Sequence, residues 1–261
     1  KNFSWKTGIN YAFNKNKVVR LHAELPVFQY GPYGFSSSYA MKLKKGGSFG
    51  DIYGKAFKRD TDGKILYETD GERQGLPMIE GDGNTVKVGN ANPDFTFGFN
   101  NTFTYNLRDH SSIGLTVYLQ GAVGNEIVNF NKFSLESFDG HKNNSVAALE
   151  RWTPENPTNK YPRATTKSSG TILSDHYVED GSYLRIKDIT LSYTFPKSIL
   201  QKFYCEGLTI FAGLKNIYTF TNYSGYDPEV SRFSNDNLSM GADYGSYPMS
   251  KSYEFGLRMN F

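Results

Sequence analysis

Apolar residues recur at every second position in six separate stretches of the chain. At the C-terminus, Tyr253, Phe255, Leu257, Met259 and Phe261 alternate with Glu254, Gly256, Arg258 and Asn260. A period of two places such a set on one face of a β-strand. Phe3, Trp5, Thr7, Ile9, Tyr11 and Phe13 repeat the pattern, as do Phe95, Phe97, Phe99, Phe103 and Tyr105. Ile113, Leu115, Val117 and Leu119 follow, then Ile189, Leu191, Tyr193 and Phe195, then Leu208, Ile210, Ala212 and Leu214. Weaker alternation at 39–45 (Tyr39, Met41, Leu43) and at 49–57 brings the expected count to about eight strands. The stretch from Lys251 has the length of roughly 9–11 residues with which a tilted strand crosses a bilayer.

The connections fall into two classes that alternate along the chain. Short ones lie at 46–48, 106–112 and 196–206, and long ones at 15–38, 58–94, 122–182 and 217–250. Outer-membrane barrels have short periplasmic turns and long extracellular loops. The asymmetry therefore predicts an all-β, antiparallel transmembrane barrel segment, with its first strand starting and Phe261 ending at the periplasmic edge.

Composition agrees with that reading. The chain carries 19 Tyr and 20 Phe among 261 residues, yet its mean hydropathy is -0.54. A strand wall with lipid on one side and a polar lumen on the other combines these two properties. A net charge of +3, with scattered Lys and Arg, gives no footprint for nucleic acid. The single Cys205 has no partner for an intrachain disulfide and reads as a buried or turn residue. His22, His110, His141 and His176 are too dispersed to suggest a zinc site or a catalytic base. No stretch approaches the 18 or more apolar residues of a transmembrane helix. A start at Lys1 without Met or leader is the expectation for a processed or truncated product.

The long loops have features of their own. Residues 145–152 (SVAALERW) predict a short helix with Val146, Leu149 and Trp152 on one side, stopped before Pro154. Asp60-Thr61-Asp62-Gly63 and Gly81-Asp82-Gly83-Asn84 superficially resemble calcium loops. From Asp60 the twelfth residue is Gly71, where an EF-hand requires Glu, so ordinary turn chemistry is expected.

Longer motifs carry a resemblance. Val178-Glu179-Asp180-Gly181-Ser182-Tyr183-Leu184-Arg185-Ile186-Lys187 runs on into Asp188-Ile189-Thr190-Leu191-Ser192-Tyr193-Thr194-Phe195-Pro196. Gly213-Leu214-Lys215-Asn216-Ile217-Tyr218-Thr219-Phe220-Thr221 is followed by Tyr223-Ser224-Gly225-Tyr226-Asp227-Pro228-Glu229. With the runs 89–95 and 151–157 and the ending from Tyr247-Pro248, these motifs resemble SusC/RagA-type TonB-dependent outer-membrane transporters. Support is weakest across 22–60.

The resemblance implies a larger barrel of about 22 strands, an N-terminal plug domain and a TonB-contacting segment. Residues 1–261 would then be the C-terminal portion, with the plug and earlier strands lying outside it. It further implies a bacterial outer-membrane location and import of a glycan or oligopeptide. A SusD-like surface lipoprotein would serve as lid and TonB would supply the energy, with no cofactor. Lipopolysaccharide and the barrel-insertion machinery are further expected partners. The closing strand, Tyr253 to Phe261, resembles the assembly signal read by that machinery.

For individual residues the bland readings weigh heavily. Asp180-Gly181 and Asp227-Pro228 are turn pairs. Arg185 and Lys187 are expected near the outer rim, meeting loop carboxylates or solvent in preference to lipopolysaccharide phosphates. Trp152, Tyr161, Tyr223, Tyr226, Tyr244 and Tyr247 are candidate cargo-stacking aromatics, although loop packing or interfacial anchoring explains any one of them as well. The alternatives to import are a structural or adhesion barrel and an outer-membrane enzyme. The latter lacks any recognisable nucleophile–base motif.

Overall fold

The structure is a computed structural model that describes every residue except 1, 31–39, 82–83, 139–142, 159, 166–173, 201–203 and 231–239. Its strands are β1 (Phe3–Phe13), β2 (Val27–Tyr30), β3 (Ala40–Lys44), β4 (Asp51–Gly54), β5 (Val86–Asn90), β6 (Phe95–Asn106) and β7 (Ser112–Val123). After β8 (Glu126–Asn129) come α1 (Phe130–Glu136), β9 (Val178–Asp180), β10 (Tyr183–Thr194), α2 (Lys197–Leu200), β11 (Gly207–Thr221), β12 (Ala242–Asp243) and β13 (Ser252–Asn260).

The six strongly alternating stretches become one antiparallel meander in the order β1-β6-β7-β10-β11-β13. Eleven-residue β1 spans about 36 Å at roughly 3.3 Å per residue. Tilted as in barrels, it covers about 25 Å, the height of a barrel's apolar band.

Register carries the apolar stripe from strand to strand. Trp5 sits opposite Phe103, Phe103 opposite Leu115, Leu115 opposite Leu191, Leu191 opposite Ala212 and Ala212 opposite Phe255. Among the described residues nothing covers this face: Ile9 is 71% exposed and Phe255 84%. A soluble sandwich would bury it beneath a second sheet. Rings gather at both ends of the stripe, with Trp5 stacked on Phe103 at 6.0 Å and Tyr11 tilted against Phe95 at 5.3 Å. That is the double aromatic girdle of a bilayer-spanning wall. Asn101 falls on the same face but is buried, and its side-chain oxygen accepts a 3.0 Å hydrogen bond from the Trp5 indole. The opposite face is mostly polar, as in the Thr194–Thr209 hydroxyl contact and the Lys215–Glu254 ion pair.

The two weaker stretches are strands, but they lie outside the wall. β3 and β4 belong to a separate four-stranded sheet, β2-β3-β4-β5, so the continuous wall has six strands where about eight were expected. With four or five residues each, they are too short to cross a bilayer. All four β4 residues are buried, whereas a wall strand shows one face to lipid. Tyr39, expected to begin the first of these stretches, lies outside the described residues. Six is again even, so both ends of the meander remain at the short-turn edge, and residues 14–94 form one long excursion between β1 and β6.

The hydrophobic core sits in the long loops. Tyr30, Met41, Ile52, Ala91, Val128, Phe130, Tyr177 and Ala242 form one buried cluster. They come from the four-stranded sheet and the bend after it at Ala91, the β12-β8-β9 sheet, α1 and the turn Asp175–Tyr177. The 145–152 segment makes a 3₁₀ turn over Val146–Glu150, with the Ser145 hydroxyl accepting from the Ala147 amide. Trp152 is buried, while Val146 and Leu149 stand out in solvent. Asp60 closes an ordinary Asx turn by accepting from the amides of Asp62 and Lys64. Of the second calcium-like run, Asp82 and Gly83 lie outside the described residues. Cys205 is buried in a short turn beside the carbonyls of Gly207 and Asn260.

Candidate functional site

Where the wall meets the loops, β10 and β11 carry a paired irregularity. The register shifts between Ile186 and Asp188, and opposite it Asn216 adopts a positive φ of 52°. The bulge reverses the parity of β10, so that Tyr183 and Arg185 face the lumen while Leu184 and Ile186 continue the lipid-facing stripe.

Arg185 is 1% exposed. Its Nε donates to the Thr219 hydroxyl at 2.9 Å, one terminal nitrogen donates to Asp227 at 2.5 Å and the other to Glu229 at 3.0 Å. A buried guanidinium requires such pairing, because an isolated buried charge is prohibitively unfavourable.

Asp227 is the hub of the cluster. Besides Arg185, it accepts from the amides of Glu229 and Met249. It thus ties together the beginning and end of the last long loop. The preceding residues are fitted to one another just as closely. Tyr223 is buried and donates its hydroxyl to Asp243 at 2.6 Å. Its ring lies over Gly225, where a Cβ would come within 2.4 Å of a ring carbon. Asp243 in turn accepts from the amides of Gly245 and Ser246. Glu179 accepts from Ser224 and from the Lys132 ammonium at 3.1 Å. Burial opposes ionisation of Glu179, but the Ser224 hydrogen bonds and the Lys132 charge outweigh it and hold the carboxyl below its ordinary range.

Beside the clamp, a groove of about 630 Å³ runs over the lumenal side of β1, β6 and β7 to Glu229. Asn10, Tyr118, Gln120 and Tyr183 contribute to its lining. Among the described residues, no group of three or more His, Cys, Asp or Glu is placed to hold a metal ion.

No protein-family model matches the chain. The TonB-dependent receptor P3 of Formosa agariphila is 31% identical over 280 residues, taking in 100% of this chain and 27% of that protein. SusC of Bacteroides thetaiotaomicron, also a TonB-dependent receptor, is 23% identical over 270 residues, with 100% of this chain and 25% of that protein covered. The chain belongs to the SusC/RagA-type TonB-dependent receptors. It spans about a quarter of the length of these relatives. Among solved structures, the RagAB peptide importer in its 'closed-closed' state superposes with a TM-score of 0.74 at 18% identity, covering 100% of this chain and 28% of that one. The 'open-open' state gives 0.73 at 19% identity, over 100% of this chain and 27% of that one. These relatives are receptors and transporters, not enzymes.

Within this SusC/RagA-type segment, the motif residues are explained by the clamp. Arg185 meets loop carboxylates, as the pattern suggested, but as a fully buried group. Asp227 is more than a turn former. The candidate aromatics divide. Trp152 is buried over Gly75, which has a φ of +75° and whose Cβ would come within 2.3 Å of the indole. The Trp152 amide donates to the Tyr161 carbonyl, and Tyr161 packs edge-on against Phe138. Tyr223 is buried as described, and Tyr244 stacks on Phe130 at 4.2 Å. Tyr226 and Tyr247 are 74% and 90% exposed. Tyr253, Phe255, Leu257, Met259 and Phe261 are all exposed on the lipid-facing side or at its end. Gln120 lies outside the motifs, and Tyr183, Thr219 and Glu229 stood within them without an assigned role, because nothing in a strand's period marks which lumenal residues will face a returning loop.

Proposed function

We propose that this chain contributes wall, rim loops and part of the lid interface to an outer-membrane importer of a glycan or oligopeptide. A plug and earlier strands of the same polypeptide would complete the barrel, TonB would act on the plug, and a SusD-like lipoprotein would close over the loops. The observation that carries the reading is the inverted arrangement of apolar surface, with an uncovered girdled wall joined to loops that own a packed core. The match to named TonB-dependent receptors along the whole chain supports it. Tyr226 and Tyr247, being the most open of the candidate aromatics, are the proposed cargo or lid contacts. Trp152, Tyr161, Tyr223 and Tyr244 are proposed to shape the loops behind them.

The test is growth of a strain carrying the full-length gene on defined oligopeptides or oligosaccharides as sole nutrient, with and without TonB. TonB-dependent growth on one class is expected. Loss of the gene without effect on any such growth, together with reduced surface attachment, would favour a structural or adhesion barrel instead.

A further inference from the structure

The clamp leaves one group unspent. Within Arg185, Asp227 and Glu229, one positive charge faces two negative ones. Both oxygens of Asp227 are engaged, by Arg185 and two backbone amides. Each guanidinium nitrogen has a partner, in Thr219, Asp227 and Glu229. Glu229 differs: its side chain is 39% exposed, and only Oε2 is held by Arg185. Its Oε1 has a long 3.4 Å contact from the Gln120 amide and otherwise faces the groove.

The groove suits the charge that the carboxylate lacks. Among its described lining residues none is Lys or Arg, and Arg185, which holds Oε2 from behind, leaves Oε1 turned to the groove. Tyr118 lies across Gly98, and Tyr183 closes the end beside Glu229. Ring faces next to a carboxylate attract an ammonium or guanidinium through the ring quadrupole as well as the charge. Asn10 and Gln120 supply carbonyl oxygens to accept the remaining N–H groups. Arg185, buried behind the carboxylate, fixes its orientation before any ligand arrives.

We propose that this lumenal groove is a cargo subsite for a primary ammonium group, with Glu229 as its counter-ion and Tyr118 and Tyr183 as its walls. The proposal rests on the importer reading and narrows its cargo to molecules bearing such a group. An N-terminal amine, a lysine side chain and an amino sugar share this chemistry.

The test uses the full-length transporter with its lipoprotein partner and four probes in calorimetric titration. These are tetra-alanine amide, its N-acetylated form, the acetylated form with one central lysine, and fully deacetylated chitotetraose. At least one ammonium probe is expected to bind about tenfold tighter than the neutral acetylated peptide, a gap of about 1.4 kcal/mol that shrinks as salt is raised. The tightest of them identifies the source of the amine. Glu229→Gln should level the four affinities, and Gln120→Glu should tighten the ammonium probes several-fold. Tyr118→Leu, which leaves the clamp untouched, should weaken them several-fold and serves if Glu229→Gln fails to assemble. Equal binding of charged and neutral probes by the native protein, or no change in Glu229→Gln, overturns the subsite while TonB-dependent uptake keeps the importer reading. No uptake or binding of any probe removes both.

Discussion

Replacing Arg185 by Met tests whether the buried clamp holds the last long loop to the wall. The side chains of Arg185 and Asp227 are 1% and 7% exposed, so the change leaves a carboxylate in a place built for a cation. Breaking a buried pair on one side costs about 3–5 kcal/mol. Asp227 keeps the amides of Glu229 and Met249 as donors, which argues for the low end, about 3 kcal/mol. That corresponds to a rise on the order of a hundredfold in the open population of the loop. Global melting is the wrong assay, since the strand ladder is not touched. Hydrogen exchange of the full-length protein in lipid reads the effect directly, at the amides of Glu229 and Met249. The double variant Arg185→Met with Asp227→Asn removes the stranded charge and should recover at least half of the lost protection. Native-like exchange of those two amides in the single variant would refute the clamp. So would a double variant more open than the single one.

The wall, the loop core and the closing strand give three further tests. Ile189→Arg places a charge near the middle of the lipid-facing stripe and should destabilise the wall by about 2–4 kcal/mol in denaturant titrations in lipid. Thr190→Arg, one residue away on the lumenal side, should leave the midpoint nearly unchanged, and equal effects would contradict the assigned faces. His176 is packed in the loop core, and burial, reinforced by Lys132 and Arg59, pushes its pKa down to about 4. The folded loops therefore bind this proton less readily than the unfolded chain. Stability from this site should be full above about pH 6.5 and fall as the pH drops toward 4, by at most about 3 kcal/mol. Protease resistance of the loops at pH 7 and pH 5 measures this, and His176→Gln should flatten the difference. Phe261→Ala should lower the amount of full-length protein assembled in the outer membrane, scored by heat-modifiable migration, and unchanged levels count against a role for the terminal aromatic.

Period-two alternation located all six wall strands because each must satisfy lipid and lumen at once. It faltered where that demand lapses. β10 begins at Tyr183, several residues before the legible stretch at 188–195, because the bulge at Lys187 reverses its parity. β11 likewise runs on to Thr221, past Asn216. The strands of the loop sheets are too short to show a period, and Asp51–Gly54 is buried at all four residues. The clamp was visible only as two motifs in sequence. Their pairing depends on a loop that leaves at Thr221 and returns at Ser252, a closure that residue spacing does not encode. Tyr223 and Trp152 stayed between cargo contact and loop packing because a ring in a polar loop looks the same whether it meets cargo or a glycine.

The placement of the core in the loops, with the wall's oily side turned outward, means that the protein lives in two solvents. Water holds the loop assembly together by rejecting Ile52, Val128 and Phe130, and a chaotrope removes that force directly. The strand ladder is held by its own backbone hydrogen bonds in a medium that offers no substitutes, so it yields to loss of lipid. Heating or chemical unfolding should therefore proceed in two separate events, loops first, and no single melting temperature describes the molecule.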